Sequence, residues 1–239
     1  MATRPVFMSM DTQPYVEVAD TEFKYYPGFA ISQARKSIEC LDEAFCKKHP
    51  EHIGKILEVS SKSSVDLGIQ LSAFNLMYTM SDGSRHTVET VFQAGKCFEN
   101  GKQYIDLLYG TSYEAKKDER LHNSGCVIGF SLEGTTFPTE PITFFYDWLY
   151  TNALNQNNEL ANHVIAYSAF TDIAFNPARS LNCQARSVAV FVGLRNSGKL
   201  TAALESPESF LELVYKQKDN KSNKHPTSQQ ISLWDYIKS

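Results

Sequence analysis

The sequence predicts a single α+β domain in which helix outweighs strand, and three observations carry that reading. The chain has 239 residues, the size of one medium domain or one domain with extensions. Hydrophobic residues make up 42% and charged residues 21%, the balance of a globular protein and not of a disordered chain, a collagen-like repeat or a disulfide miniprotein. Apolar residues spaced by three and four recur along most of the length, whereas short alternating runs are few. At this size roughly 70% of the unfolded surface can be buried, so no metal or disulfide is needed to supply a core.

The elements follow in order. Residues 1–22 are mixed and dotted with proline, the signature of an irregular lead-in. The stretch Phe23–Ile31 breaks at Pro27-Gly28, which is turn chemistry. Ser32 can cap a helix from Gln33 to Phe45, with Ile38, Leu41 and Phe45 on one face and a stop before Pro50. Ile53–Val59 is predicted as a strand, and the serine-rich stretch from Ser60 to Ser64 as a loop. Leu67–Met80 alternates in part and ends at the turn Ser81-Asp82-Gly83.

Beyond that turn the period changes. Thr87 can cap a helix over Val88–Phe98, and short helices are expected at Tyr104–Leu108 and from Ser112 to Lys117. Pro141 suits the first position of a helix that gathers Phe145, Trp148, Leu149 and Leu154 on a broad apolar face, with Tyr146 and Tyr150 beside it. Asn157–Tyr167 is predicted as helix, and Arg186–Leu194 as either a buried helix or a buried strand. The tail from Lys216 is polar and lysine-rich, with Ile231–Ile237 able to dock back. The organisation expected is an N-terminal extension over 1–65, a main domain over 66–215 and a tail over 216–239.

Charge and cysteine content bound the function. Twenty-three basic and 27 acidic residues give a formal charge of −4, so contact with nucleic acid must be local and not a basic coat. Mean hydropathy is −0.32, and no apolar run of about 18 residues offers a membrane helix. Met1–Met8 lacks the apolar core of a signal peptide. The five cysteines, at 40, 46, 97, 126 and 183, form no CxxC pair, which suits reduced thiols and a cytoplasmic location. No phosphate-binding glycine loop, dinucleotide fingerprint, zinc-protease or hydrolase-elbow motif occurs, and the six histidines show no metal-ligand spacing. No metal and no cofactor are expected.

One segment stands out, Val88-Glu89-Thr90-Val91-Phe92-Gln93-Ala94-Gly95-Lys96. On a continuous helix Glu89, Gln93 and Lys96 fall on one stripe, with Glu89 and Lys96 about 20° apart in azimuth and about 10 Å apart in rise. Gly95 within that helix costs about 1 kcal/mol against alanine, which makes sense where something packs close to the backbone. Spacing alone leaves two readings open, a solvated helix face and a polar row against an apolar wall.

A resemblance weighs between them. Leu71-Ser72-Ala73-Phe74, the Ser-Asp-Gly turn, and then Thr87-Val88-Glu89, Phe92-Gln93 and Lys96 resemble the opening of the NADAR family, the YbiA-like proteins. Ser112 with Glu114-Ala115-Lys116-Lys117, Asn152-Ala153-Leu154 with Gln156 and Glu159-Leu160, and Phe170-Thr171-Asp172 resemble later family elements in the same order. The likeness spans about residues 67–195. The N-terminal 65 residues, with Phe23-Lys-Tyr-Tyr-Pro-Gly-Phe29, resemble the branch paired with DarT-type DNA ADP-ribosyltransferase toxins. The sequence departs from the family pattern at Ala73, where the family has asparagine. It departs again at Phe175-Asn176-Pro177, where the family has a Trp-Gly pair, and over Asn182–Arg186, which meets a closing motif only in part.

The resemblance implies an N-glycosidic hydrolase that removes ADP-ribose from modified guanine in DNA, releasing ADP-ribose and serving as antitoxin to a DarT-type toxin. Two alternatives stand beside it, an N-glycosidase on a phosphorylated riboflavin-pathway intermediate and a non-catalytic ADP-ribose- or toxin-binding module. Breaking a ribose–nitrogen bond builds positive charge at the anomeric carbon, which a carboxylate stabilises while a proton goes to the leaving nitrogen. Glu89 is the candidate acid/base and Asp172 a second carboxylate. Lys96 is the candidate nucleophile, able to form a Schiff base if it loses its proton, or to hold a phosphate or ribose oxygen if it does not. Gln93 would orient a ribose hydroxyl, and Ser112 with Lys116 would bind pyrophosphate. Phe74 would stack on a base beside Ser72, Trp148 would form a platform, and Arg186 would meet phosphate.

Overall fold

The computed structural model describes residues 1–178 and 180–216. Strands β1 (Ala2–Ser9) and β2 (Val16–Phe23) lead into helix α1 (Ile31–Cys46), strand β3 (Ile56–Glu58) and helix α2 (Asp66–Gln70). Hairpin β4 (Met77–Thr79) and β5 (Arg85–Thr87) runs straight into α3 (Val88–Ala94) and β6 (Lys96–Phe98). After a 3₁₀ turn at Ile105–Tyr109 come α4 (Ser112–Lys117), α5 (Glu119–Asn123) and the hairpin β7 (Val127–Leu132) and β8 (Thr135–Phe137). The chain continues as α6 (Phe144–Gln156), α7 (Asn158–Val164), β9 (Ala169–Thr171), α8 (Gln184–Asn196), α9 (Leu200–Ala203) and α10 (Pro207–Val214). The fold is thus mixed, with helix outweighing strand among the described residues. The tail expected beyond Lys216 lies outside them.

The largest sheet has the order β2-β1-β9-β3. Alternation along β1 explains its two faces. Val6 and Met8 point toward α1 and pack with Phe23, Ile38, Leu41, Phe45 and Ile173. Phe7 points the other way, into the main core with Leu57, Phe170 and the apolar side chains of α8. From Ala185 to Leu194 every residue of α8 except Arg186 is buried, the all-round apolar pattern of a central helix. This decides the 186–194 stretch as helix. Gly193 is required where α8 crosses the β1–β2 connection, because a Cβ there would stand 2.5 Å from the carbonyl oxygens of Met10 and Tyr15.

Four sequence expectations change. The irregular lead-in over 1–22 is instead a long hairpin, registered from Ala2 opposite Phe23 to Ser9 opposite Val16. Pro5 is tolerated because β9 pairs only with Phe7 and Met8, so its missing N–H breaks no ladder bond on that side. The partly alternating run Leu67–Met80 yields only the short strand β4, since the intervening backbone is engaged elsewhere. The Ala73 N–H donates to Gln184 Oε1 and its carbonyl accepts from the Glu89 N–H. Helix α1 begins at Ile31 after an extended Ala30, not after Ser32. Residues 1–65, expected as an extension, supply three of the four strands of the main sheet.

Candidate active site

Helix α3 is short, and all seven of its residues are buried. Thr87 caps it as expected, its Oγ1 accepting the Thr90 N–H at 3.2 Å. The helix does not continue to Phe98. Gly95 closes it, and the Gly95 carbonyl accepts the Ser131 N–H at 2.8 Å, so the hairpin β7–β8 takes an acceptor that a longer helix would use. Lys96 then pairs with Phe130 as the first residue of β6. The close packing expected at Gly95 is present: a Cβ there would meet the Phe145 ring at 3.0–3.1 Å.

The break in the helix still leaves Glu89, Gln93 and Lys96 together. Gln93 Nε2 donates to Glu89 Oε1 at 2.8 Å, the contact that the four-residue spacing predicts. Glu89 and Gln93 are 5% and 6% exposed. Lys96 is partly buried, its ammonium 5.2 Å from the centroid of the Phe92 ring. Desolvation drives its pKa down to about 8, helped by the charge of Lys116 and opposed by that of Glu89. Lys116 Nζ stands 3.9 Å from Glu89 Oε2 and 5.2 Å from the centre of the Phe74 ring. The result is a buried carboxylate faced by one amide and two lysines, with a phenylalanine under each lysine.

Other candidates serve to hold this cluster or lie away from it. Ser112 Oγ donates to the Phe74 carbonyl at 3.1 Å and shares a 2.8 Å hydrogen bond with Thr87 Oγ1, tying α4 to the start of α3. The helix N-terminus it opens is closed by a capping box between Thr111 and Glu114, which occupies groups that a pyrophosphate would use. Ser72 is buried, its Oγ accepting the Phe74 N–H. Trp148 packs on Phe137 at 5.0 Å, on the side of α6 away from α3. Arg186 pairs with buried Asp147 and reaches Tyr215, binding α8 to α6 and α10. Neither Trp148 nor Arg186 is brought to Glu89.

Asp172 ends β9 as a turn-former, its Oδ1 accepting the N–H groups of Ala174 and Phe175, while Oδ2 accepts from Gln184 Nε2 at 3.0 Å. Burial and the neighbouring Glu58 push it up to about 7. Glu58 is raised as well by burial, against hydrogen bonds from Ser60, Thr171 and the Ile173 N–H. Glu58 and Gln184 escape a sequence reading; the one visible hint is an acidic residue at the end of a predicted buried strand. Tyr146, placed by its spacing among the core aromatics, lies with its ring edge-on to Phe92 at 5.1 Å. Its hydroxyl feels the charges of both Glu89 and Asp172.

A larger concavity of about 430 Å³ lies on the opposite face of α3, bordered by Val91, Ala94 and Gly95. His86 and Glu133 on its wall are already matched. His86 bonds the Leu108 carbonyl and Ser84 Oγ from β5. Glu133 accepts from Tyr78 and the Ser81 N–H. The unmatched chemistry lies on the Glu89 side.

A family model described as DarT1-associated NADAR antitoxin matches residues 2–224. The chain belongs to this family. No curated protein matches it. The match to the DarT1-associated NADAR antitoxins starts at residue 2, so β1, β2 and α1 lie within the family's extent and not outside it. Among the described residues no helix is long and apolar enough to cross a membrane, and no group of histidine, cysteine and acidic side chains is arranged to hold a metal ion.

Proposed function

We propose that this member of the DarT1-associated NADAR antitoxins is an N-glycosidic hydrolase that removes ADP-ribose from guanine in DNA and so reverses the action of a DNA ADP-ribosyltransferase toxin. The observation that carries the proposal is the buried Glu89 carboxylate with Lys96 beside it, a lysine whose pKa is lowered to about 8. At pH 7 about one such lysine in ten is neutral, a useful fraction for a nucleophile. The Lys96 amine attacks the anomeric carbon as the bond to the guanine nitrogen breaks, and that nitrogen leaves with a proton. Glu89 stabilises the positive charge that develops at the carbon, takes the proton lost by the attacking amine and passes it to the leaving nitrogen. The ribose ring opens to a Schiff base, water adds to it, and ADP-ribose departs with Lys96 restored. Phe74 and Lys116 then suit the base and a phosphate at the mouth of the site. A charge of −4 is compatible with an enzyme that recognises one modified base and releases the strand afterwards.

The test uses a guanine-ADP-ribosylated oligonucleotide read by mass spectrometry, with wild type and Lys96→Ala. Wild type should remove the ADP-ribosyl mass, and the variant should be slower by about 10³-fold or more, as for removal of a covalent nucleophile. Borohydride should trap a protein–ribose adduct in wild type only. An untouched oligonucleotide would overturn the reaction, and an active Lys96→Ala protein would remove Lys96 from it.

A further inference from the structure

Tyr146 stands in the first turn of α6, on the side packed against α3, and is 6% exposed. Three other buried or half-buried phenols of this protein spend their hydroxyls. Tyr150 donates to the Leu71 carbonyl, Tyr78 to Glu133, and Tyr215 to Asp147. The Tyr146 hydroxyl has no hydrogen-bond partner among the described residues. Nor is its oxygen walled in, in contrast to Gln93 Oε1, which is unpartnered and sealed from solvent. The ring is fixed by Phe92 on one side and by Tyr150, with centroids 6.2 Å apart, along the helix. A phenol near two carboxylates keeps its proton, so what this position offers is a hydrogen-bond donor held on a rigid ring.

We propose that the Tyr146 hydroxyl donates to the ribose hydroxyl next to the anomeric carbon of the bound ADP-ribosyl group, which makes Tyr146 a specificity-determining residue for ribose over deoxyribose. The inference rests on the reading above, in which Glu89 acts at that carbon. The sugar is favoured over the base because Tyr146 neighbours Phe92 and Glu89 at the buried end of the site, whereas the half-buried Phe74 under Lys116 marks the other end. A bond to that hydroxyl strengthens as positive charge grows at the neighbouring carbon, so it acts on turnover more than on ground-state affinity.

The experiment compares wild type with Tyr146→Phe, which keeps the ring and removes only the oxygen. Calorimetry measures binding of ADP-ribose and of its analogue lacking the 2-hydroxyl on the distal ribose, and hydrolysis of the modified oligonucleotide gives kcat and KM. Wild type should prefer ADP-ribose roughly three- to tenfold, and Tyr146→Phe should bind the two ligands equally. In turnover the variant's kcat should fall about tenfold, with KM rising by no more than the roughly three- to tenfold lost in ADP-ribose binding. Its melting temperature should match wild type, because the hydroxyl holds nothing in the protein. Unchanged preference and kcat in Tyr146→Phe, with wild type active, would overturn this inference and leave the hydrolase standing. A clearly lower melting temperature would make the hydroxyl structural and overturn it too. If wild type neither binds ADP-ribose nor cleaves the oligonucleotide, the hydrolase reading falls and takes this inference with it.

Discussion

Glu89 and Glu58 are buried alike, at 5% and 4% exposed, yet the chain surrounds them with opposite partners. Glu58 accepts from the Ser60 and Thr171 hydroxyls and from the Ile173 N–H, all short and rigid donors on β3, β9 and the segments after them. Among the described residues no lysine or arginine is paired with it, and burial raises its pKa. Glu89 has one amide donor, Gln93, and beyond that only Lys116 at 3.9 Å and the charge of Lys96. Those cations sit on long flexible stems at least partly open to solvent. A carboxylate satisfied by fixed neutral donors clasps two strands together and has nothing left to give a ligand. A carboxylate faced by movable cations can exchange them for a substrate, which is what chemistry on a bound sugar requires.

Paired substitutions break or sharpen this contrast. Glu89→Gln should cut hydrolysis of the modified oligonucleotide by about 10³-fold with little change in stability, since a glutamine still bonds Gln93. Glu58→Gln should do the reverse, costing about 1–3 kcal/mol in denaturant unfolding while activity below the transition persists, because its amide N–H group would face donors. A Glu58→Gln protein that kept its stability and lost turnover would erase the distinction.

The pH dependence of stability separates the two sites next. Asp172 is raised to about 7 in the fold, and Glu58 and Asp42 are raised as well. For a carboxyl raised above its unfolded value, the native state binds the extra proton, so its contribution is complete below about pH 4 and is lost as pH climbs through about 7. Wild type should therefore lose stability relative to Asp172→Asn over that window, by about 1–2 kcal/mol in denaturant titrations at each pH. Parallel curves would remove Asp172 from this linkage. The smallest effect is expected from Lys116→Met. Removing that charge lets the Lys96 pKa rise, so the alkaline rise of the rate should move to higher pH and the rate at pH 7 should fall a few-fold. A shift to lower pH would contradict the arrangement of the two lysines.

What the sequence makes legible is what short spacings decide. The Thr87 cap, the Glu89–Gln93 contact and the Ser-Asp-Gly hairpin turn all depend on residues within a few positions of one another. The end of α3 is not of that kind, because its stop depends on Ser131, 36 residues further on, capturing the Gly95 carbonyl. Lys96 reaches the expected neighbourhood from a strand and not from a helix. Residues 1–22 hide their strands behind two prolines, and the second neighbour of β1, β9, comes from far along the chain. Trp148 and Arg186 look as available as Lys116 in a list of polar and aromatic residues, until Phe137 and Asp147 occupy them. Tyr146 is the converse, a core aromatic by its spacing whose hydroxyl is distinguished only by the partners it lacks.

The pairing of Phe7 with Phe170 also has a consequence in time. A ribosome adding 5–20 residues per second needs roughly 10–30 s to pass from β1 to β9, and for that interval the first hairpin has no strand to lie against. Closing so long a loop is entropically costly and slow to reward, so the main sheet cannot be complete until β9 has been made. The cluster around Glu89 is synthesised before the Tyr146 ring and the α8 helix behind it. The packing around Glu89 therefore waits for α8, Gln184–Asn196, a delay fixed by topology.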